Sequence, residues 1–320
     1  MSNTEVLLQQ LIIGLSNGMI IALIALGYTM VYGIVELINF AHGDLFMLGA
    51  FLALTVVGAL GLDAIPEPAL LSWGFIPLLI IVPLFCATLN WSIDRLAYRP
   101  LRDAPRLAPL VSAIGVSFVL INIGLFWGGL RMDVFNGGVA AASPKDFPWI
   151  VSSANLLGPD SNIILTWNEL LVFAITVPLM IGLSVLVKFT RLGKAMRAVA
   201  QNPTAARLMG IDVDRVIGAT FLIGGALAGA AAVGYSSYNH TIYFQMGFRV
   251  GMDAFTAAVL GGIGNLPGAL VGGLVIGVIR AMSDQYIATE WTNVVVFAIL
   301  IVVLTFRPSG ILGATVREKV

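Results

Sequence analysis

LIIGLSNGMIIALIALGYTMV, residues 11–31, decides the fold class of this chain. It carries no Asp, Glu, Lys, Arg or His, and roughly 20 apolar residues suffice to take an α-helix across the hydrocarbon core of a bilayer. It reads as a retained membrane helix rather than a cleaved leader, because the preceding MSNTEVLLQQ offers no Lys or Arg. The rest of the chain repeats the pattern. Hydrophobic residues make up 58% of the 320, charged residues only 11%, and the mean hydropathy is +0.96. A water-soluble domain has about a quarter of its residues charged, so this composition cannot cover a surface in water. The fold class is all-α and polytopic in the membrane.

Further apolar runs fall near residues 44–60, 74–93, 107–129, 169–189, 216–235, 252–264, 268–283 and 292–306, giving eight or nine membrane helices in a single domain, 1–320. The 252–264 run is short for a span and the junction 33–43 is polar, so both are expected to be broken or re-entrant. Basic residues concentrate at Arg95, Arg99, Arg102 and Arg106, at Lys188, Arg191, Lys194, Arg197, Arg207 and Arg215, and at Arg307, Arg317 and Lys319. Short cytoplasmic loops are enriched in Lys and Arg, which places these three regions inside. The loop 61–73, with Asp63 and Glu67 and no base, and the sparsely basic loop 130–168 belong outside. Nine crossings then put the N-terminus outside and the C-terminus inside. If the short span only dips into the bilayer, the count falls and the N-terminus changes side.

Polar groups at membrane depth are costly and are functional candidates for that reason. Glu36, Asn39, His42 and Asp44 lie between two apolar runs. Helical spacing would bring the first three to one face lining a solute path, while a turn in water would leave Asn39, His42 and Asp44 as helix caps. Arg249, Asp253 and Thr256 form a second candidate group, although a helix dipole alone accounts for Asp253 near a helix start. Arg280 is spaced to pair with Asp284. In GGIGNLPGALVGG, Gly264 and Pro267 mark a helix break, and Gly264, Gly268 and Gly272 recur at the interval that lets two helices approach closely. Metal binding is not expected, since His42 and His240 lack neighbouring ligands at the required spacing. The single cysteine, Cys86, sits in an apolar run and cannot form an intrachain disulfide.

The exception to this composition is KFTRLGKAMRAVAQNPTAARLMGID, residues 188–212, basic and helix-prone between two spans. It is expected to be a cytoplasmic contact surface for a soluble partner, or else a helix resting on anionic headgroups. Asn202 and Pro203 suit a helix start and Gly210 its end. The segment lacks a P-loop, because Gly193-Lys194 is followed by Ala195, and no hydrolytic constellation occurs elsewhere. The chain is therefore expected to be a non-catalytic protein with no cofactor of its own. Its zero formal net charge and lack of a basic tail give no reason to expect nucleic acid.

INFAHGDLFMLGAF (38–51), RLGKAMRAVAQNPTAARLMGID (191–212), FTAAVLGGIGNLPGALVGG (255–273) and RPSGILG (307–313) together resemble the high-affinity branched-chain amino acid ABC importer permease, LivH-type, over essentially the whole chain. The glycine-rich segments are also distantly similar to ribose-type sugar permeases. The resemblance implies an ABC importer permease architecture in the bacterial inner membrane, with a second, LivM-type permease completing the pore. Two cytoplasmic ATPases would carry ATP and Mg, and a periplasmic binding protein would deliver leucine, isoleucine or valine. Ala205, Ala206 and Gly210 are similar to the coupling pattern E-A-A-x3-G of such permeases, with Thr204 in place of the Glu and no I-x-L-P following. Arg197, Asn202, Pro203, Ala205, Ala206 and Gly210 are thus the expected ATPase-coupling residues, and Glu36, Asn39, His42, Asp44, Asp253 and Thr256 the expected pathway. Two alternatives remain open at this point. One is a permease for urea, short amides or another small solute; the other is a stand-alone channel or secondary transporter using Glu36, His42 and Asp44 as an ion relay.

Overall fold

The computed structural model describes residues 2–35, 39–64, 68, 71–102, 104–105, 107–158 and 160–313. Glu36 lies outside the described residues, as do Glu67, Arg106, Arg317 and Lys319. Eleven helices follow in chain order: α1 (Asn3–Val35), α2 (His42–Ala59), α3 (Phe75–Ile93), α4 (Leu107–Gly128), α5 (Trp167–Phe189), α6 (Arg191–Gln201), α7 (Pro203–Leu208), α8 (Val213–Asn239), α9 (Met246–Gly261), α10 (Leu266–Tyr286) and α11 (Thr292–Phe306). A π-helical turn, Asp94–Tyr98, and a 3-10 turn, Arg99–Leu101, extend α3. The described strands are β1 (Lys145–Asp146) and β2 (Thr241–Ile242), an antiparallel pair with Lys145 opposite Ile242.

Among the described residues, seven helices are long and apolar enough to span a bilayer, and α9 and α11 are shorter. The bundle has two distinct ends. One end gathers the C-termini of α1, α5, α9 and α11: Val187, Arg197 and Gly264 surround Gly33 and Ile34, and the amides of Ile311 and Leu312 bond the carbonyls of Leu260 and Gly261. At the opposite end, Gln9 accepts from the Ile164 amide at 2.8 Å and Gln10 donates to Gln285 at 3.0 Å. Among the described residues, the first end carries Arg95, Arg99, Arg102, Lys188, Arg191, Lys194, Arg197, Arg207, Arg215 and Arg307. The seven long apolar helices and the shorter α11 roughly match the expected count of eight or nine. The helix of the short 252–264 run starts earlier, at Met246, where Gly247 meets Gly43 and Asp44, and packs beside α10 as far as the hairpin at Gly261.

α1 is central. Its apolar character all round matches its surroundings, because its second half is buried on every side. Lipid offers no hydrophobic drive to associate helices, so close contact must supply it. Small residues provide that contact: a Cβ on Gly14 would stand 2.8 Å from Val278 Cα, one on Gly18 2.9 Å from Leu274 Cα, and one on Gly273 2.5 Å from Ala22 Cα. Gly268 and Gly272 meet the Gly261 and Ala257 carbonyls across the α9–α10 hairpin, and Gly225 and Gly229 meet the backbone of α3 around Cys86 and Pro83. The hairpin turn needs positive φ at Gly262 (104°) and Gly264 (87°), and Asn265 caps α10 by accepting from the Gly268 amide at 3.2 Å, with Pro267 in its first turn. The outward faces of α3, α4 and α5 expose Ile80, Leu84, Val111, Phe126 and Ile181, as helices in contact with lipid must.

Arg280 does not pair with Asp284, as its spacing had led one to expect. It donates to Asp253 and to Asn293, each at 2.6 Å, while Asp284 accepts from the Thr292 hydroxyl. Contact across helices has displaced the pairing along one helix. Outside the bundle, Lys145 is buried with its ammonium donating to the carbonyls of Phe135, Val139 and Ala140 at 3.1–3.3 Å. Desolvation holds its pKa below the ordinary lysine value.

Gly277→Leu forces a side chain into the backbone of Gly14 and Gly18, and overpacking of this kind costs about 1–3 kcal/mol. We expect a lower melting temperature of the detergent-purified protein by thermal-shift measurement, and no comparable change for Gly182→Leu, whose added Cβ meets nothing within 4 Å.

Candidate translocation site and coupling elbow

α2 begins inside the bundle, not at its end. Asn39 receives the Tyr98 hydroxyl at 2.7 Å and donates to Asn90 Oδ1 at 3.4 Å, and Asn90 in turn donates to the Phe221 carbonyl at 2.6 Å. Phe221 lies eight residues into α8, about 12 Å from its start at 1.5 Å per residue. Asn39 and Asn90 therefore sit at membrane depth, and the π-helical turn after α3 carries Tyr98 inward to meet them. Asn39, His42 and Asp44 are all buried. Caps in water, one of the two sequence expectations, are excluded for them; the N-cap of α2 is Ala41, with no side-chain cap bond. Nor do they form one helical face, since Asn39 precedes the helix.

His42 is enclosed. Its ring stands edge-on to Tyr28 with centroids 4.7 Å apart, fills the space left by the missing side chain of Gly27, and makes no well-formed hydrogen bond through either nitrogen. Asp44 accepts from the Ser117 hydroxyl through Oδ2, and its Oδ1 has no partner. That free oxygen faces α9: a Cβ on Gly247 would stand 2.7 Å from it. Gly43 and Gly251 complete this close crossing of α2 and α9.

Beside the crossing is a cavity of about 750 Å³ between α1, α4 and α9, whose wall includes Tyr28, Phe40, Ser117, Gly247, Arg249 and Phe255. Of the residues expected in a pathway, Asp44 stands directly behind Ser117 and Gly247, and Asn39 precedes Phe40. Asp253 and Thr256 do not line this cavity. Asp253 faces Arg280, and Thr256 returns its hydroxyl to the Met252 carbonyl at 2.8 Å.

The basic segment is folded as an elbow of two helices. Thr190 caps α6 by accepting from the Gly193 amide at 3.0 Å, and Gly193, Met196 and Val199 form its buried stripe. Arg197, on the exposed side, reaches back to the Val187 carbonyl that ends α5. Asn202 (φ −160°) breaks the chain and caps α7, accepting from the Ala205 amide at 2.9 Å with Pro203 at the first position. Ala206 is buried, Ala205 exposed, and Gly210 ends the turn at φ 81°. Leu208 and Met209 stand 84% and 83% exposed at its tip, at the end of the bundle that carries the arginines. Beside it, Arg102 holds both oxygens of Asp94 (2.6 and 2.9 Å) and reaches Asp214, which Arg99 also binds at 2.8 Å.

Comparison with known proteins bears on this arrangement. The family described as branched-chain amino acid transport system, permease component, matches residues 10–304. The chain belongs to that family. Among curated relatives, this permease is 43% identical to the high-affinity branched-chain amino acid transport system permease protein LivH of Salmonella typhimurium over 98% of its own length and 97% of the relative's. It is 41% identical to LivH of Escherichia coli K12, with the same coverage, and 42% identical to BraD of Pseudomonas aeruginosa over 98% of both chains. No solved structure matches the chain. The permease is accordingly a multi-pass protein of the bacterial inner membrane.

Sequence reading missed Asn90, Tyr98 and Ser117, which share the buried polar cluster. Asn90 lies in an apolar run where its polarity at depth was the available signal; Ser117 and Tyr98 gave none. Removing one member of the Asp253–Arg280 pair, whose side chains are each 12% exposed, leaves a buried charge at a cost of about 3–5 kcal/mol. We expect Asp253→Leu and Arg280→Met each to lower the melting temperature, and the double variant to recover much of the loss. Additive losses in that cycle would show that the pair is not a coupled unit.

Proposed function

We propose that the chain is one half of the membrane pore of an ABC importer that carries leucine, isoleucine and valine into the cytoplasm. A second, homologous permease completes the pore, a periplasmic binding protein delivers the amino acid, and two ATPases supply the work, holding ATP and Mg themselves. The names of the relatives support the cargo, since each is a permease of a branched-chain amino acid transport system. By the enrichment of Lys and Arg in inner loops, the arginine-bearing end is cytoplasmic, so residues 188–215 face the ATPases and 130–168 the periplasm.

The observation that carries the coupling role is the tip of the elbow. Two large apolar side chains, Leu208 and Met209, project into solvent at the end of a short capped helix, which suits insertion into an apolar cleft of a protein. Force applied there has a rigid route inward. α7 runs through Gly210 into α8, the Asp94–Arg102–Asp214 network ties the start of α8 to the end of α3, and the Asn90–Phe221 bond ties α3 to α8 again at the level of the polar cluster. Closure of the ATPases would thus tilt α3 and α8 together, as packed helices move by small rigid-body shifts.

Leu208→Glu and Met209→Glu, made in the assembled importer, should leave the permease in the membrane, because both side chains are solvent-exposed. Leucine uptake into cells should fall at least about tenfold, as expected when apolar contacts at the centre of an interface are replaced by charge, and the ATPase should no longer co-purify. Wild-type uptake by the double variant would remove the elbow from the coupling path.

A further inference from the structure

On the wall of the cavity between α1, α4 and α9 stands the Arg249 guanidinium, which makes no direct salt bridge among the described residues, although Asp253, four residues on, acts on it from a distance. Arg249 is exposed, beside the Tyr243 hydroxyl. Arg280, on the next helix, is by contrast held by both Asp253 and Asn293. A guanidinium within a membrane bundle demands an anion, and its planar fork matches a carboxylate. On another part of the wall, Ser117 gives its one hydroxyl proton to Asp44, so that Oγ is left to accept, with a carboxylate behind it. The second oxygen of that carboxylate is buried without a partner against Gly247, itself a wall residue. The remaining wall is mostly apolar, with Ile114, Phe118, Ile121, Phe248, Met252 and Phe255, and includes Gln245.

A cation with no carboxylate in contact, an acceptor backed by negative charge, and a mostly apolar, open-sided wall complement one ligand class. We propose that this cavity is a transit subsite for a zwitterionic aliphatic α-amino acid, Arg249 holding its carboxylate and Ser117 Oγ, backed by Asp44, accepting from its ammonium. The volume of about 750 Å³ lies within the roughly 300–1,000 Å³ of small-molecule sites, with room for water to accompany the solute. The proposal rests on the import reading above and adds to it a place where the amino acid pauses within this chain.

The test uses the complete importer in proteoliposomes, where ATP-dependent leucine uptake by the wild type checks the import reading independently. Ile121→Cys places a thiol on the cavity wall, and the native Cys86 is fully buried, so labelling by a maleimide reports the cavity. L-Leucine should slow labelling, whereas 4-methylpentanoate, which lacks the ammonium, and L-leucinamide, which lacks the carboxylate, should protect at least about tenfold less well, the size of a lost charge-assisted bond. Arg249→Gln should abolish protection by leucine and cut uptake by a similar factor, with Arg249→Lys partly restoring both. Labelling indifferent to leucine in an importer that transports it would overturn the proposal while leaving import intact. Equal protection by all three solutes, or full uptake by Arg249→Gln, would overturn it as well.

Discussion

The backbone-to-backbone approach of α1 and α10 is the constraint on which the other features depend. Gly14 and Gly18 on one helix and Gly273 and Gly277 on the other let the two meet where any larger side chain would hold them apart. In lipid, where apolar surface has nothing to gain by leaving its solvent, this contact is a principal source of cohesion. It fixes α1 at the centre of the bundle, and α1 then presents Gly27 and Tyr28 to the start of α2. The space at Gly27 admits His42, and the ring of Tyr28 closes over it.

From that fixed centre the polar residues acquire their depth. A chain that begins α2 at the membrane surface would leave Asn39, His42 and Asp44 in water; here they lie within the bundle, and the protein must satisfy them itself. It does so for Asn39 through Tyr98 and Asn90, joining the segment before α2 to α3 and α8. It does so only in part for Asp44, whose second oxygen is left free beside the cavity. The same helices, α3 and α8, continue to the ion network beside the elbow. The polar cluster and the elbow are thus ends of one mechanical element.

Much of this was legible in the sequence because the signals were local. The apolar runs gave the helices, the clustered arginines gave the two ends, and Asn202, Pro203 and Gly210 marked the boundaries of α7 through capping and chirality that depend on neighbours only. The four-residue glycine spacing announced close packing but not the partner, which for Gly273 and Gly277 is α1, more than 250 positions away. Residues whose role depends on such distant contacts were misplaced or missed. Asp253 reads as a dipole-stabilised residue at a helix start, yet its partner is Arg280. Ser117 reads as an ordinary small residue of a span, and only the α2–α4 contact makes it the donor to Asp44. The 33–43 stretch reads as too polar for a span, but the inward placement of Asn39 follows from Asn90 and Phe221, which no local pattern supplies.

The central claim is that this permease is half of a pore without an engine, worked from outside through the elbow. Accumulation of radiolabelled leucine in proteoliposomes, compared between the purified chain alone and the chain with its partner permease, binding protein, ATPases and ATP, tests it most directly. Concentrative uptake only in the complete, ATP-supplied assembly is the predicted result; leucine flux through the chain alone would contradict it.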